Sequence, residues 1–544
     1  LITPNIPEAE ILTNTKISNE NDMKNAALII AEKGAKSVLI KGGHKKGASD
    51  FLYFEGKFFE YKTKFINTKN THGTGCTLSS AIASNLALGR KMNKAVENAK
   101  KYIQGAIENL IDSLKWAGIT YDEGVFVEDG KIVQKGEYGP YIQSQRLDIY
   151  KKYVDQLIEN GYAYYCFCSK DRLDHLREEQ RIKGQVPKYD GLCREIPLDE
   201  AKKRIASGEE YVVRLKLPHN KDITFNDLVR GKVTINTNEI DDQVLMKSDG
   251  FPTYHMAVVV DDHLMGITHV VRGEEWLSST PKHVFLYQAL GWESPEYVHL
   301  PTVLNKDRKK LSKRQGDVSV EDFKERGYLP EGIINYLALV GWSPEDGDEI
   351  MNMDELVSKF DFDRVGKSGG IFDTDKLNWV NAHYIKQYPI EKLAELSIPY
   401  VVDSGLLEES YIRENFEWYK VLIDTIKEAI DKLEDIPKHI GFLFGDLKIT
   451  EDAAMEEINK EHVPDLLKTF IEVVNSHDEI SLEVANGLMK EVQKKSGVKG
   501  KNLYMPVRAA ISGNVHGPEM SNIIYLLGKD KLVQRAQKVL NNLK

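Results

Sequence analysis

Short apolar runs alternate with amphipathic stretches over the first hundred residues, and from about Ile390 the spacing becomes almost wholly helical. Val38-Leu39-Ile40 and Phe51-Leu52-Tyr53-Phe54 are brief β-branched or aromatic runs, which predicts strands. Asp22 to Lys33 repeats its apolar positions at helical spacing and predicts an amphipathic helix, and Lys101 to Leu114 predicts another. Far downstream, Tyr411 to Leu433 reads as one amphipathic helix halted before Pro437, because proline cannot continue a helix. Strands mixed with helices early, and helices alone late, give an α/β multidomain chain that ends in an all-α domain.

With 544 residues the chain is long enough for several domains with buried cores. A net charge of -10 does not suggest a nucleic-acid binder, so any such contact must come from local basic stretches, Lys306 to Arg314 or Lys494 to Lys501. No apolar run reaches membrane-spanning length and no secretory leader is visible. The four cysteines, Cys76, Cys166, Cys168 and Cys193, are too sparse for a disulfide framework, and a reducing cytoplasm is the expected compartment. Leu1 stands where a Met would begin a chain and runs straight into a strand-to-helix connection, so a fragment is expected.

The chemistry is densest at Lys310-Leu311-Ser312-Lys313-Arg314. Two ammonium groups and a hydroxyl on one turn suit the charge that develops on a triphosphate attacked at its α-phosphorus. Upstream lie Phe251-Pro252-Thr253-Tyr254-His255-Met256-Ala257, Asp261-Asp262-His263-Leu264-Met265-Gly266 and Val271-Arg272-Gly273-Glu274-Glu275-Trp276. In that order these strings resemble the catalytic domain of the bacterial glutamyl-tRNA synthetase family, class I enzymes, and the resemblance runs from about Ala106 to the C-terminus. It implies that Lys313 is the principal phosphate clamp with Lys310 and Ser312 supporting it, that Tyr254 and Arg272 hold glutamate, and that Trp276 lies near adenine. It also exposes a gap. The family carries His-x-Gly-His early in its nucleotide fold, and no such tetrapeptide occurs here. His72-Gly73-Thr74-Gly75 lacks the second His, and its flanks match another family better.

Within the stretch that resembles the family's inserted acceptor-binding domain, Cys166, Cys168 and Cys193 stand at a ligand spacing with Tyr189 between the last two. Three thiolates and one further donor satisfy tetrahedral zinc, and a closed set of four implies a structural site. The resemblance leaves Tyr189 and Glu195 both open as the fourth ligand. Near the end, Lys499 to Pro518 matches the helical cage that reads the anticodon in this family, where aromatic and Arg side chains meet unpaired bases.

Residues 1–105 carry a different signature. Asn70-Thr71-His72-Gly73-Thr74-Gly75-Cys76-Thr77 is a glycine-punctuated loop running into a helix, an arrangement that favours oxyanions at the positive helix end. A thiol one step into that turn is placed to take a proton from an attacking hydroxyl. The string resembles the C-terminal half of the hydroxymethylpyrimidine phosphate kinases, which are ribokinase-like. That likeness implies Cys76 as base, Gly73 and Gly75 lining an anion hole for ATP, and Asn5 and Glu8 helping to hold magnesium. A half-sheet of this kind is expected to expose an unpaired edge and an uncovered apolar face.

The expected organisation is therefore a partial ribokinase-like layer (1–105), an incomplete class I Rossmann-type catalytic domain (106–323, insertion at about 155–240), a stem-contact domain (324–389) and an all-α anticodon-binding domain (390–544). The expected function is ATP-dependent activation of L-glutamate and its transfer to tRNA(Glu) by a monomer, with Mg2+ and Zn2+, away from membranes. Activity is expected to be impaired, as in a fragment or fused gene product. Two alternatives stay open: a hydroxymethylpyrimidine (phosphate) kinase fusion of thiamin biosynthesis, and a non-catalytic tRNA-binding module.

Overall fold

The computed structural model describes residues 1–42, 49–62, 74–87, 90–104, 106–129, 131–311, 319–449 and 451–542. The chain forms two compact units, Leu1–His299 and Leu300–Lys544. No helix among the described residues is long and apolar enough to cross a membrane.

The first unit opens with α1 (Ile6–Thr13), α2 (Glu20–Glu32), β1 (Ser37–Ile40), β2 (Ser49–Phe54), β3 (Lys57–Lys62), α3 (Thr74–Ala87) and α4 (Met92–Gln104). The strands pair antiparallel in the order β1-β2-β3, and the chain start meets β1 through parallel bridges, Ile2 to Val38 and Asn5 to Lys41. Successive strand residues point to opposite faces. Val38, Ile40 and Phe51 bury against Ala26, Ala27 and Ile30 of α2, while Leu39 and Leu52 bury against Leu78 and Ile82 of α3 and Ala95, Val96 and Ala99 of α4. Among the described residues helices therefore cover both faces of the sheet, where a half-sheet was expected to leave an apolar face uncovered. This also explains why β1 is a continuous apolar run rather than an alternating one.

Over the stretch Lys101 to Leu114, where one helix is expected, the described residues are helical on both sides of Gly105, as α4 to Gln104 and α5 (Ala106–Trp116), and residue 105 itself lies outside the described residues.

There follow β4 (Gly124–Glu128), β5 (Lys131–Lys135), α6 (Leu147–Glu159), β6 (Ala163–Cys166), α7 (Lys170–Ile182), α8 (Leu198–Ala206), β7 (Val212–Leu215), β8 (Asp222–Asp227), β9 (Gly231–Asn236), β10 (Val244–Met246), α9 (Tyr254–Leu264), β11 (His269–Gly273), α10 (Thr280–Leu290) and β12 (Glu296–Leu300). Strands β10-β7-β6 form one sheet, β11-β12-β8-β9 another, and β4 pairs with β5 as a hairpin. β12 runs parallel to β8, the pairing a nucleotide fold calls for, and β9 runs antiparallel to it. One core joins α6, α9 and α10 to these sheets through Tyr150, Leu157, Leu215, Met256, Val260 and Leu286. Buried Asp261 ties α9 to the start of α6, accepting from Arg146 Nε at 2.7 Å and from the Tyr150 hydroxyl at 2.9 Å. Removing Arg146 would strand the buried Asp261 carboxylate.

The second unit is helical beyond residue 319, with its largest core in the C-terminal half. Buried Arg535 donates to the carbonyls of Phe442 (2.6 Å), Gly445 (3.0 Å) and Ile511 (2.6 Å). It thereby satisfies the acceptors left over at the ends of Ile436–Phe444 and Lys501–Ser512. The one helix expected over Tyr411 to Leu433 is broken. Glu409–Glu414 stops at Asn415, whose amide bonds the Tyr411 carbonyl, and Phe416–Ile426 follows. Pro437 does not end a helix but sits in the first turn of the next, where its missing N–H costs nothing.

Candidate active site and metal centre

The candidate glutamate, adenine and zinc residues fall into two clusters of the first unit. In the first, Arg272 leaves the end of β11, Trp276 rides the 3-10 turn Glu274–Ser279, and Thr280 and His283 begin α10. Tyr254 opens α9, where it is 43% exposed and its ring meets Trp276 at 4.4 Å. That exposure is unlike core packing, and it leaves the phenol at a surface where a ligand can reach it.

The Arg272 guanidinium is held by neutral groups. Nε donates to His299 Nε2 at 3.1 Å, Nη2 donates to Thr280 Oγ1 at 2.8 Å, and Nη1 lies 3.2 Å from His283 Nδ1. Its charge centre is about 6 Å from the rings of Trp276 (6.0 Å) and Tyr297 (5.9 Å). Among the described residues no carboxylate forms an ion pair with it. Glu274, two residues along the chain, pairs with Arg230 at 2.6 Å. Burial, and then the neighbouring Asp261, lifts the Asp262 carboxyl to about 6 against the opposing pull of Arg272. A planar cation held by imidazoles and a hydroxyl is poised for an incoming carboxylate.

Behind Arg272 lie groups that the sequence reading missed. His283 Nε2 is 2.9 Å from His255 Nδ1, and His299 Nδ1 is 2.6 Å from Asp227 Oδ2. Burial holds the His255 imidazole at about 4, and holds those of His283 and His299 below the usual range. A signal did exist: five of the chain's 14 histidines, at 255, 263, 269, 283 and 299, fall within this one stretch.

In the second unit, Lys310 ends a tight turn closed by the bonds Asn305 N to Lys309 O (2.8 Å) and Lys309 N to Asn305 Oδ1 (2.9 Å). Arg308 takes a left-handed φ of 58° in it, and residues 306–310 are exposed. Ser312 and Lys313 lie outside the described residues.

The cysteines form the second cluster. Cys166 ends β6, Cys168 precedes the Ser169 cap of α7, and Cys193 lies in a turn with its backbone N–H donating to the Tyr189 hydroxyl at 3.0 Å. The three sulfurs lie within 4.8 Å of one another, with Cys168 and Cys193 3.6 Å apart, close to the ~3.8 Å edge of a tetrahedron with zinc–sulfur bonds of about 2.3 Å. The Tyr189 hydroxyl is 3.3 Å from Cys166 Sγ and 3.5 Å from Cys168 Sγ. Glu195, the other candidate, is 80% exposed and turned to Lys216 at 3.3 Å. Arg214 stacks on the Tyr189 ring at 4.1 Å and Arg172 donates to Cys168 at 3.5 Å, so two cations flank the sulfurs. Burial pushes the Cys166 thiol up, but bonds from Tyr189, the Cys168 N–H and Arg214 outweigh it and hold it low; burial lifts Cys168 to about 11.

Of the kinase-like residues, Asn5 and Glu8 are engaged with each other's backbone. Asn5 Oδ1 accepts from Glu8 N and Glu8 Oε2 accepts from Asn5 N, both at 2.8 Å. Their i, i+3 spacing is that of a capping box, which accounts for the pair as the start of α1. Gly75 and Cys76 fall in the first turn of α3, as expected of a loop entering a helix. Gly73 and the Cys76 side chain lie outside the described residues.

The chain matches three family models. Residues 97–379 match the catalytic domain of the class I tRNA synthetases (E and Q), 392–540 match the anticodon binding domain, and 1–120 match phosphomethylpyrimidine kinase. The first and last overlap over 97–120, the stretch that holds the end of α4 and all of α5. The body is thus a class I aminoacyl-tRNA synthetase fold with a helical anticodon domain, preceded by a partial kinase-like region. Glutamate–tRNA ligase of Finegoldia magna is 58% identical over 446 residues, 81% of this chain and 90% of that protein; that of Clostridioides difficile is 51% identical over 445, with the same coverage. A glutamate tRNA ligase of Elizabethkingia meningosepticum, solved with its amino acid, superposes with a TM-score of 0.70 at 32% identity, over 88% of this chain and 98% of that one. The chain belongs to the glutamate–tRNA ligase family.

Proposed function

We propose that this chain, a ligase by family with impaired activity, binds L-glutamate through Arg272 and Tyr254 and activates it only slowly with ATP and Mg2+ for transfer to tRNA(Glu), as a monomer. The observation that carries this reading is the Arg272 guanidinium, fixed by three neutral acceptors and paired with no carboxylate among the described residues. Its planar fork suits a substrate carboxylate, with the exposed Tyr254 packed on Trp276 and Trp276 offering an aromatic face to adenine. Lys313, with Lys310 and Ser312, supplies the cations that a pentavalent α-phosphate requires. Rate comes from holding carboxylate and phosphate in line rather than from a covalent intermediate. The junction between the kinase-like segment and the ligase body falls near Gly105, with the catalytic domain reaching about 323, the stem 389 and the anticodon domain the remainder. In the kinase-like segment Cys76 keeps the position of a base, with Gly73 and Gly75 before it.

Zinc fits the cysteine cluster, and Cys166, Cys168, Cys193 and Tyr189 would hold it. Bound there, it would supply structural crosslinking only, since four protein donors leave no open position. About one zinc per chain is expected. Cys168→Ser should loosen residues 160–195 to proteolysis before the C-terminal helices are disturbed. Metal analysis of reduced protein that finds no zinc would end this assignment.

The tRNA arm of the proposal is tested by filter binding with a tRNA(Glu) transcript. Binding by the full chain should weaken steeply with salt as phosphate contacts release counterions. A chain that ignores this transcript at low salt is not a ligase of tRNA.

A further inference from the structure

Arg272 always donates, and that fixes every proton behind it. A guanidinium has five N–H donors and no acceptor. His283 Nδ1, 3.2 Å from Nη1, must therefore be the unprotonated nitrogen of its ring. Its proton then sits on Nε2 and points 2.9 Å away at His255 Nδ1, which must in turn accept. On the other flank His299 Nε2 accepts from Arg272 Nε at 3.1 Å, so its proton sits on Nδ1 and is given to Asp227 Oδ2 at 2.6 Å. With that lone pair taken, the Thr280 hydroxyl accepts from Arg272 Nη2 and gives its own proton to the Trp276 carbonyl at 3.1 Å. Only one set of tautomers satisfies all six contacts, and it requires all three imidazoles to be neutral.

We propose that His283, backed by His255, is a positioning residue that aims the Arg272 fork at the glutamate carboxylate, with His299 and Asp227 fixing the opposite edge. The inference rests on Arg272 being the carboxylate-binding group. Three of the five N–H donors are engaged by the protein, which leaves two for a bidentate contact. Each acceptor comes from a different buried position: His299 on β12, His283 on α10 and Thr280 at the first residue of α10. Because these elements belong to one core, the guanidinium cannot swing without leaving a buried acceptor unpaired. Neutral acceptors hold the fork without cancelling its charge, which an aspartate in place of His283 would do.

The test uses the full chain and three substitutions. Asn carries an oxygen where His283 carries Nδ1, so His283→Asn keeps the acceptor and His283→Leu removes it. Equilibrium dialysis with labelled L-glutamate should show the dissociation constant raised on the order of tenfold by Leu and little changed by Asn. Arg272→Ala is the control for the underlying reading. If Arg272→Ala leaves glutamate affinity intact, the carboxylate role itself falls and this proposal with it. If Arg272→Ala weakens binding but His283→Leu does not, or if Asn is as harmful as Leu, positioning by His283 alone is refuted. A readout independent of glutamate comes from 15N-histidine labelling of the wild-type chain. Long-range 15N–1H spectra at neutral pH should show His283 and His255 as Nε2–H tautomers and His299 as Nδ1–H. A His283 protonated at Nδ1 would overturn the wiring.

Discussion

Replacing Arg272 by alanine is expected to weaken L-glutamate binding on the order of 10²- to 10³-fold while leaving the protein folded. The size follows from the chemistry of a carboxylate held by a guanidinium. Truncating one side of a desolvated, charge-assisted pair costs about 2 to 5 kcal/mol, because the substrate carboxylate still loses its water on entering. Folding is spared because Arg272 neutralises no carboxylate among the described residues, so its removal strands no buried anion. The histidines that accept from it can be satisfied by water in the space that alanine leaves. Arg272→Lys should fall between, since an ammonium keeps the charge but cannot reproduce the planar fork. Equilibrium dialysis against labelled glutamate measures this directly. A dissociation constant unchanged in Arg272→Ala would remove Arg272 from the substrate site, whatever the rest of the chain does.

Arg272 and the cysteine cluster also show how far residue order alone carries. The Cys166, Cys168 and Cys193 spacing already implied a ligand set, because a closed site needs few residues in a short stretch. The choice between Tyr189 and Glu195 was not legible, since it depends on which side chain turns inward. Tyr189 does, under the stacked Arg214, and Glu195 turns to Lys216. The resemblance pointed to Arg272 as a candidate for glutamate, yet the groups that hold its guanidinium were not legible. They come from β8, α9, α10 and β12, and sequence patterns report periodicity along one element rather than meetings between four. The N-terminal segment misled for a related reason. Half of a known layer reads as an open face, but α2 on one side and α3 with α4 on the other close it. In the C-terminal region the apolar period ran on through Asn415 and obscured a helix break that is local, made by one side-chain amide against the Tyr411 carbonyl.

The same contrast governs catalysis. The proposed glutamate-recognition cluster and the helical anticodon domain are in place, while the sequence carries one proposed phosphate clamp, Lys310 to Lys313, and no His-x-Gly-His to oppose it. Each group that stabilises charge on a transferring phosphoryl centre is worth about 3 to 4 kcal/mol, and about 1.4 kcal/mol is a factor of ten in rate. Losing two histidines should therefore slow charging by about four to six decades in this sequence expressed as it stands. Lys313→Ala should then remove little further measurable rate, since one clamp works poorly without the other. Glutamylation of tRNA(Glu) by pure protein, wild type beside Lys313→Ala, tests this most directly. The expected result is tRNA bound by both proteins and charged at a rate near background by both. Robust charging by the wild type, abolished in Lys313→Ala, would contradict it, and His72 would be the first residue to replace in search of the missing clamp.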